Sequence, residues 1–295
     1  MEVGYYPGCS LEATARDYRE SLEAVCRALA VRLVEVEDWN CCGASAAHSL
    51  DHRLALNLGA RNLVQAAAGP QPVVVPCALC FNRLKATQYE LAQGAGGLIP
   101  ELERHRREIS RVEVVELNRF LTRPELVERA LEEARHSLAG LRPVVYYGCQ
   151  GQRPPRVTGH PRHEDPRDID RLLAELGAEV VDWPYKTDCC GASFAVSRPE
   201  VVFELVGRLY LRALERGANC IVTGCQMCQA NLDLYQDQIA ARLGREVYLP
   251  VFYFTELMGL ALGLDQAGRW LRRHLVDPRE LLAQTAVGSG LWGKP

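Results

Sequence analysis

Ten of the twelve cysteines fall into two sets of five that repeat one another, and no other property of this chain restricts its fold so tightly. In the first half Cys9 is followed by the adjacent pair Cys41-Cys42 and then by Cys77-Ala-Leu-Cys80. In the second half Cys149 is followed by Cys189-Cys190 and then by Cys225-Gln-Met-Cys228. The step from the adjacent pair to the later doublet is 35 positions in both halves, whereas the step from the first cysteine to the pair is 32 in one and 40 in the other. Tyr5-Tyr6 and Tyr146-Tyr147 precede the first cysteine of each set, Trp39 and Trp183 lead into each pair, and Cys-Cys-Gly-Ala-Ser recurs unchanged at 41–45 and 189–193. This is a duplication. It divides the chain into a first cysteine-rich domain over 1–140 and a second over 141–295, with the boundary near Ala139-Gly140-Leu141-Arg142-Pro143.

Around the cysteines, β-rich runs alternate with longer helical ones. Val3–Tyr6, Arg32–Val36, Pro72–Val75, Val144–Tyr147, Glu179–Val181 and Cys220–Thr223 read as strands. Thr14–Ala30, Leu54–Ala68, Val201–Arg216 and Leu232–Leu243 carry apolar residues at helical spacing. Strands separated by helices predict an α/β fold: two duplicated domains, each with a mainly parallel sheet flanked by helices. Each cysteine group follows a strand, so the sulfurs converge at the carboxyl ends of the strands, where open parallel sheets hold ligands. The following helices turn their positive N-termini toward the same edge, which favours thiolates. Gly43 and Gly191 mark places where a Cβ would obstruct. Gly94–Ser110 reads as a loop with a short solvated helix, and the tail from Gln284 onward as extended or docked on a partner.

With 34 Lys and Arg against 37 Asp and Glu, the net charge of −3 sets duplex nucleic-acid binding aside. Val251–Leu264, the longest nonpolar run, is interrupted by Thr255 and Glu256 and is too short for a span of about 20 residues. The stretch Tyr253–Trp270 therefore reads as a core helix or an interface with another protein, because its arginines follow the apolar run instead of lining an opposite face. The start Met1-Glu2-Val3 lacks the basic region of a signal peptide, so the expected location is the cytoplasm, where clustered thiols bind metal or do redox chemistry. A structural zinc takes four ligands, and so does a [2Fe–2S] or cubane [4Fe–4S] cluster. Five thiols per half favour a larger iron–sulfur assembly, with a cubane and one idle cysteine, or zinc in one half, as the alternatives.

The pattern Cys-x31-Cys-Cys-Gly-x33-Cys-x2-Cys resembles the CCG (cysteine-rich) domain, and its doubling along nearly the whole chain resembles the B-subunit of heterodisulfide reductase. Tyr-Tyr-Pro-Gly-Cys-Ser at 5–10, Asp-Trp-Asn-Cys-Cys-Gly-Ala at 38–44, Pro-Cys-Ala-Leu-Cys-Phe-Asn-Arg-Leu at 76–84 and Asp-Cys-Cys-Gly-Ala-Ser-Phe at 188–194 are similar to its bacterial branch. The resemblance implies two noncubane [4Fe–4S] clusters, one on Cys9, Cys41, Cys42, Cys77 and Cys80, the other on Cys149, Cys189, Cys190, Cys225 and Cys228. It further implies reductive cleavage, or formation, of a disulfide between the clusters, with electrons from a ferredoxin-like C-subunit that is fed by a flavin-bearing A-subunit. The same domain occurs in the E-type subunit of some succinate dehydrogenases, which pass electrons to quinone at the membrane surface. That reading, with a peripheral membrane position through partners, is the rival enzyme, and a zinc-stapled scaffold is the rival outside enzymology.

The remaining candidates have ordinary readings. Cys26 and Cys220 sit at apolar positions and read as core thiols. His160 and His163 lie in a proline-rich insertion at 150–166 that reads as an exposed loop, with substrate-lining or proton supply as the alternative. His48 and His52 have no counterpart in the second half, which weakens a ligand role. Asn82 and Asn231 are placed to cap a helix or donate to a cluster sulfur, and the duplicated tryptophans and tyrosines read as packing.

Overall fold

The computed structural model describes residues 1–44 and 46–288. The first half builds a four-stranded sheet from β1 (Glu2–Tyr5), β2 (Arg32–Glu35), β3 (Val73–Val75) and β4 (Val114–Glu116), in the order β2-β1-β3-β4. The second builds a three-stranded sheet from β5 (Pro143–Tyr146), β6 (Cys220–Thr223) and β7 (Val251–Tyr253), in the order β5-β6-β7. Every pairing is parallel, with Glu2 beside Arg32, Val73 beside Val114 and Pro143 beside Cys220. β3, β5, β6 and β7 are buried along their whole length, the pattern of strands covered on both faces. The fold is thus the expected one, two parallel sheets flanked by helices.

Several elements depart from expectation. Glu179–Val181 is not a strand: the N–H groups of Glu179 and Val181 donate to the carbonyls of Leu141 and Pro143 at 3.0 and 2.8 Å, but no reciprocal bonds complete a ladder. Cys189-Cys190 therefore follows an irregular segment, unlike Cys41-Cys42 after β2. The helix expected over 232–243 is two helices, Gln226–Leu234 and Gln236–Leu243. They break at Tyr235, whose hydroxyl donates to Ala195 O at 2.9 Å and whose ring meets Phe203 edge-on, tertiary contacts that outweigh helical continuity. Pro100–Glu103 and Arg106–Arg111 are the short helices of the glycine-rich stretch. In the tail, Ala286–Gly288 form a single 3-10 turn instead of extended chain, and 289–295 lie outside the described residues.

Tyr253–Trp270 divides into the end of β7 and the helices Phe254–Ala261 and Ala267–Leu271. All eight residues of Phe254–Ala261 are buried, as expected of a helix apolar on every side. Glu256 caps it by accepting from Tyr253 N at 2.9 Å. This second-half helix packs on Arg16–Ala28 of the first half, where Ser21 Oγ and Thr255 Oγ1 share a hydrogen bond of 2.7 Å. The largest apolar core draws on both halves, from Leu22 and Leu117 to Val145, Leu257 and Trp270. Burying side chains of this size stabilises by about 1.5–3 kcal/mol each, so the packing that joins the halves fixes how the two cysteine sets face one another.

Candidate metal centre

Each half presents its five cysteines from three loops, and in each set one pair of sulfurs comes within 4 Å. Cys9 opens the short helix Cys9–Ala13, Cys41 and Cys42 lie past β2, and Cys77 is the N-cap of Ala78–Ala92, its sulfur accepting from Cys80 N at 3.4 Å. Cys42 Sγ and Cys80 Sγ stand 3.2 Å apart. In the second half Cys149 follows β5, Cys225 is the N-cap of Gln226–Leu234, and Cys190 Sγ lies 3.8 Å from Cys228 Sγ. All twelve cysteines are free thiols, so neither set is spent on disulfides.

The duplicated residues hold these loops in the same way twice. Tyr6 and Tyr146 donate their hydroxyls to the carbonyls of Asn40 and Asp188, the residues that precede each cysteine pair. Gly43 N and Gly191 N donate to Cys41 Sγ and Cys189 Sγ at 3.5 and 3.3 Å, and both glycines are left-handed, with φ of 77° and 76°. Gly8 and Gly148 are left-handed too, and a Cβ there would stand 3.0 Å from Cys80 Sγ and 2.8 Å from Cys228 Sγ. The backbone is bare where each sulfur pocket closes.

Thiols packed this closely compete for charge. Hydrogen bonds from Cys41 and Cys80 hold Cys42 down to about 3 despite burial, and Cys80 holds Cys77 low, while Cys41 and Cys80 are themselves pushed up. In the second half Cys149 lowers Cys189 to about 6 and Cys228 lowers Cys190, while Cys149 and Cys228 rise. Protons shared among sulfurs are what a bound cation replaces. Five soft ligands, a bare-backbone cradle and N–H donors to sulfur fit an iron–sulfur group in each half.

The other candidates sort clearly. Asn231 Nδ2 lies 3.0 Å from Cys190 O and 3.8 Å from its Sγ, whereas Asn82 instead donates across to Gln150 O and Arg153 O, both at 2.8 Å. Trp183 is core, donating to Val145 O at 2.9 Å, and Trp39 stands edge-on to Tyr6. His48 Nδ1 is 2.7 Å from Arg83, and His52 Nε2 pairs with Glu90 at 3.0 Å. His160, buried, faces Asp168 at 3.3 Å, and His163 lies 3.6 Å from Glu164. Cys26 and Cys220 are buried in the shared core, away from both sets.

A cleft of about 630 Å³ is lined by one residue from each of four ligand loops, Ala44, Leu79, Gln150 and Ser193, together with His48, Arg83, Glu90 and Arg156. The proline-rich insertion, read as an exposed loop, supplies four of the lining residues (Gln150, Pro154, Arg156 and Val157) and buries Gln152, Thr158 and His160. Sequence reading missed Glu116 and Asn118, buried with polar atoms that lack hydrogen-bond partners, and Gln226, which turns toward Cys77. The signal was in the departures from the repeat: Gly151 stands where the first half has Leu11, and Gly224 where it has Pro76. Glu116 and Asn118 press on those two glycines.

A duplicated, parallel-sheet protein with two thiol quintets is thus the class that fold and site define. The CCG cysteine-rich domain signature matches residues 3–85 and again 144–233. The chain belongs to this family, in the doubled form of the heterodisulfide reductase B-subunit, and so stands among the CCG-domain iron–sulfur redox subunits. It is 30% identical over 282 residues to the 8-methylmenaquinol:fumarate reductase membrane anchor subunit of Wolinella succinogenes, covering 95% of this chain and 99% of that one. It is 24% identical over 300 residues to the B-subunit of the ferredoxin/F(420)H(2)-dependent CoB-CoM heterodisulfide reductase of Methanosarcina acetivorans, covering 98% and 99%. A crystal structure of a hypothetical protein from Helicobacter pylori superimposes with a TM-score of 0.72 at 10% identity, covering 94% of this chain. The chain spans about half of that protein (52%), and the likeness shows the fold alone. Among the described residues no helix is long and apolar enough to cross a membrane.

Proposed function

We propose that the chain is the catalytic subunit of a heterodisulfide-reductase-like complex, which cleaves or forms a disulfide in the gap between its two cysteine sets. The observation that carries this reading is the completeness of both quintets on loops that share one cleft. In this reading Cys9, Cys41, Cys42, Cys77 and Cys80 hold one noncubane [4Fe–4S] cluster, and Cys149, Cys189, Cys190, Cys225 and Cys228 the other, each set with its own domain, 1–140 and 141–295. When bound, the two clusters supply one electron apiece and an iron site for each sulfur of the disulfide, so that neither half leaves as a radical.

The protein's own residues position and enclose. Tyr6 and Tyr146 fix the paired cysteines, Gly8 and Gly148 let the backbone close against the sulfurs, and Arg83 and Arg156 bring guanidinium groups to the cleft. The electron donor in this reading is a ferredoxin-like C-subunit supplied by a flavin-bearing A-subunit, and the complex is cytoplasmic.

A second reading is supported by the 30% identity to a membrane anchor subunit of a methylmenaquinol-linked enzyme. Leu50 and Val196 are 85% and 98% exposed beside the two Cys-Cys-Gly turns, with Leu54 and Phe194 also at the surface. An apolar rim of this kind suits contact with lipid or with a membrane-bound partner, and electron transfer to quinone.

Anaerobically prepared protein is expected to contain iron and labile sulfide and to reduce a disulfide with reduced viologen. Cys225→Ser should abolish two-electron cleavage. Full activity in that variant would end the paired scheme, stoichiometric zinc would favour the scaffold, and quinone-linked turnover without disulfide cleavage would favour the second reading.

A further inference from the structure

Glu116, Asn118 and Gln152 are 1–2% exposed, yet each has a polar side-chain atom without a hydrogen-bond partner. Unpartnered buried polar atoms are rare in folded proteins, so three such side chains beside Gly151 and Gly224 require a purpose. Two of them reach from the first half into the ligand loops of the second. Glu116 ends β4, opposite Val75, in register with the strand that delivers Cys77. Its carboxyl lies on the bare backbone of Gly151, two residues past Cys149, so closely that a Cβ there would be 2.1 Å from Oε1. Asn118 lies on Gly224 in the same way, 1.9 Å from an added Cβ and one residue before Cys225. Gln226 turns its amide toward Cys77. Two glycines of the second repeat thus admit a carboxyl and an amide of the first into the gap.

We propose that Glu116 is the proton-transfer group of the site, giving its proton to a sulfur released from substrate. The inference rests on the disulfide reading above. The reaction is RS–SR′ plus two electrons and two protons, giving RSH and R′SH. The S–S bond breaks, and each sulfur takes one electron from a low-potential one-electron iron–sulfur donor. Glu116 supplies one proton, solvent the other, and the carboxylate left behind is reprotonated from solvent. The groups facing it are Arg119 on the following helix, Asp168 with its partner His160 on the helix Asp168–Glu175 and the loop before it, and Tyr18 from Arg16–Ala28. Burial raises Glu116 to about 7, against Arg119 and helped by Asp168, so that it carries a proton at acid to neutral pH. Asp168, half-exposed at 37%, lies on the solvent side of this group.

The test is Glu116→Gln, with Glu116→Asp as the conservative variant. Reduction of hydroxyethyl disulfide by reduced viologen should fall on the order of 10²-fold in Glu116→Gln, the usual worth of a positioned acid. The native chain should show an alkaline limb near pH 7 that vanishes in Glu116→Gln, and Glu116→Asp should restore both rate and limb in part. Infrared difference spectra between acid and alkaline pH should show a carboxyl C=O band that titrates near neutrality in the native protein and is missing from Glu116→Gln. Iron, sulfide and paramagnetic resonance signals should not change. An unaltered pH profile, an infrared band that survives the substitution, or loss of iron from Glu116→Gln would each overturn the assignment, the last by making the carboxyl structural. If the native protein cleaves no disulfide at all, the proposed function fails, and the infrared result still decides whether Glu116 titrates.

Discussion

Tyr18 and Tyr253 lie face to face, ring centroids 4.2 Å apart and planes within 6° of parallel, one from each half of the chain. Both are fully buried, and the Tyr18 hydroxyl donates to Gly224 O at 2.9 Å, beside Cys225. The pair is therefore a joint between the halves that also holds a ligand loop. Tyr253→Ala should cost about 3–5 kcal/mol in urea unfolding of the anaerobic protein, as large aromatic truncations do. Tyr18→Phe, which loses only the hydrogen bond, should cost about 0.5–1.5 kcal/mol. Equal effects of the two would show that the stack contributes little.

Gly148 and Gly8 offer a way to address one set at a time. A methyl at Gly148 would enter the space of Cys228 Sγ and force a left-handed backbone on alanine. Gly148→Ala should remove about half the iron per chain, that of the second set, and Gly8→Ala the other half, because the two pockets are built from separate loops. Metal and sulfide analysis of the two variants checks this. Loss of all iron in either would mean that the centres assemble together.

How much of this was legible in the sequence follows from what fixes each feature. Metal-ligand chemistry admits few residue types, so Cys42, Cys80, Cys190 and Cys228 announce themselves by identity and spacing, and the structure places Cys42 beside Cys80 and Cys190 beside Cys228. Hydrophobic runs gave the long helices and most strands. Val114–Glu116 is too short for alternation to show, and Val251–Tyr253 passes into a helix without a break in polarity. The break at Tyr235 and the failure of 179–181 to complete a ladder are tertiary outcomes with no local cause. Glu116 was invisible for another reason: its environment comes from Gly151, a residue of the other half.

His274 supplies a pH prediction. Its burial opposes charge, but Glu256 at 2.9 Å, with Asp233 and Asp17, outweighs that and raises it from 6.5 to about 9. The folded-state value lies above the unfolded one, so the stabilisation is complete below about pH 6.5 and is lost as pH rises through about 9. The difference in unfolding free energy between the native chain and His274→Gln should therefore shrink across that window. A difference that is constant from pH 6 to 9 would mean that folding leaves the histidine's pKa unshifted.

The two unmatched cysteines should behave as core residues. Burial pushes Cys26 up to about 12 and raises Cys220 as well, so both stay protonated and are poor ligands. Cys26→Ala and Cys220→Ala should keep full iron and sulfide while losing about 1 kcal/mol each, the cost of a small buried void. Iron loss in either variant would require redrawing the ligand sets.

The cleft makes the last prediction. Arg83, 6% exposed, is held by Glu90 at 3.0 Å and by His48, whereas Arg156 lies at the surface on the proline-rich insertion. An anionic group on a substrate entering here would meet Arg156 first and can bind it without breaking the buried pair. Arg156→Ala should raise KM for a disulfide that carries a carboxylate or sulfonate by about tenfold, equivalent to one charge-assisted hydrogen bond of about 1.4 kcal/mol. It should leave KM for hydroxyethyl disulfide and kcat for both unchanged, since the arginine touches no reacting sulfur. The same substitution should weaken the salt dependence of KM for the anionic substrate. Equal loss with charged and neutral disulfides would instead assign Arg156 to the folding of the insertion that closes the cleft.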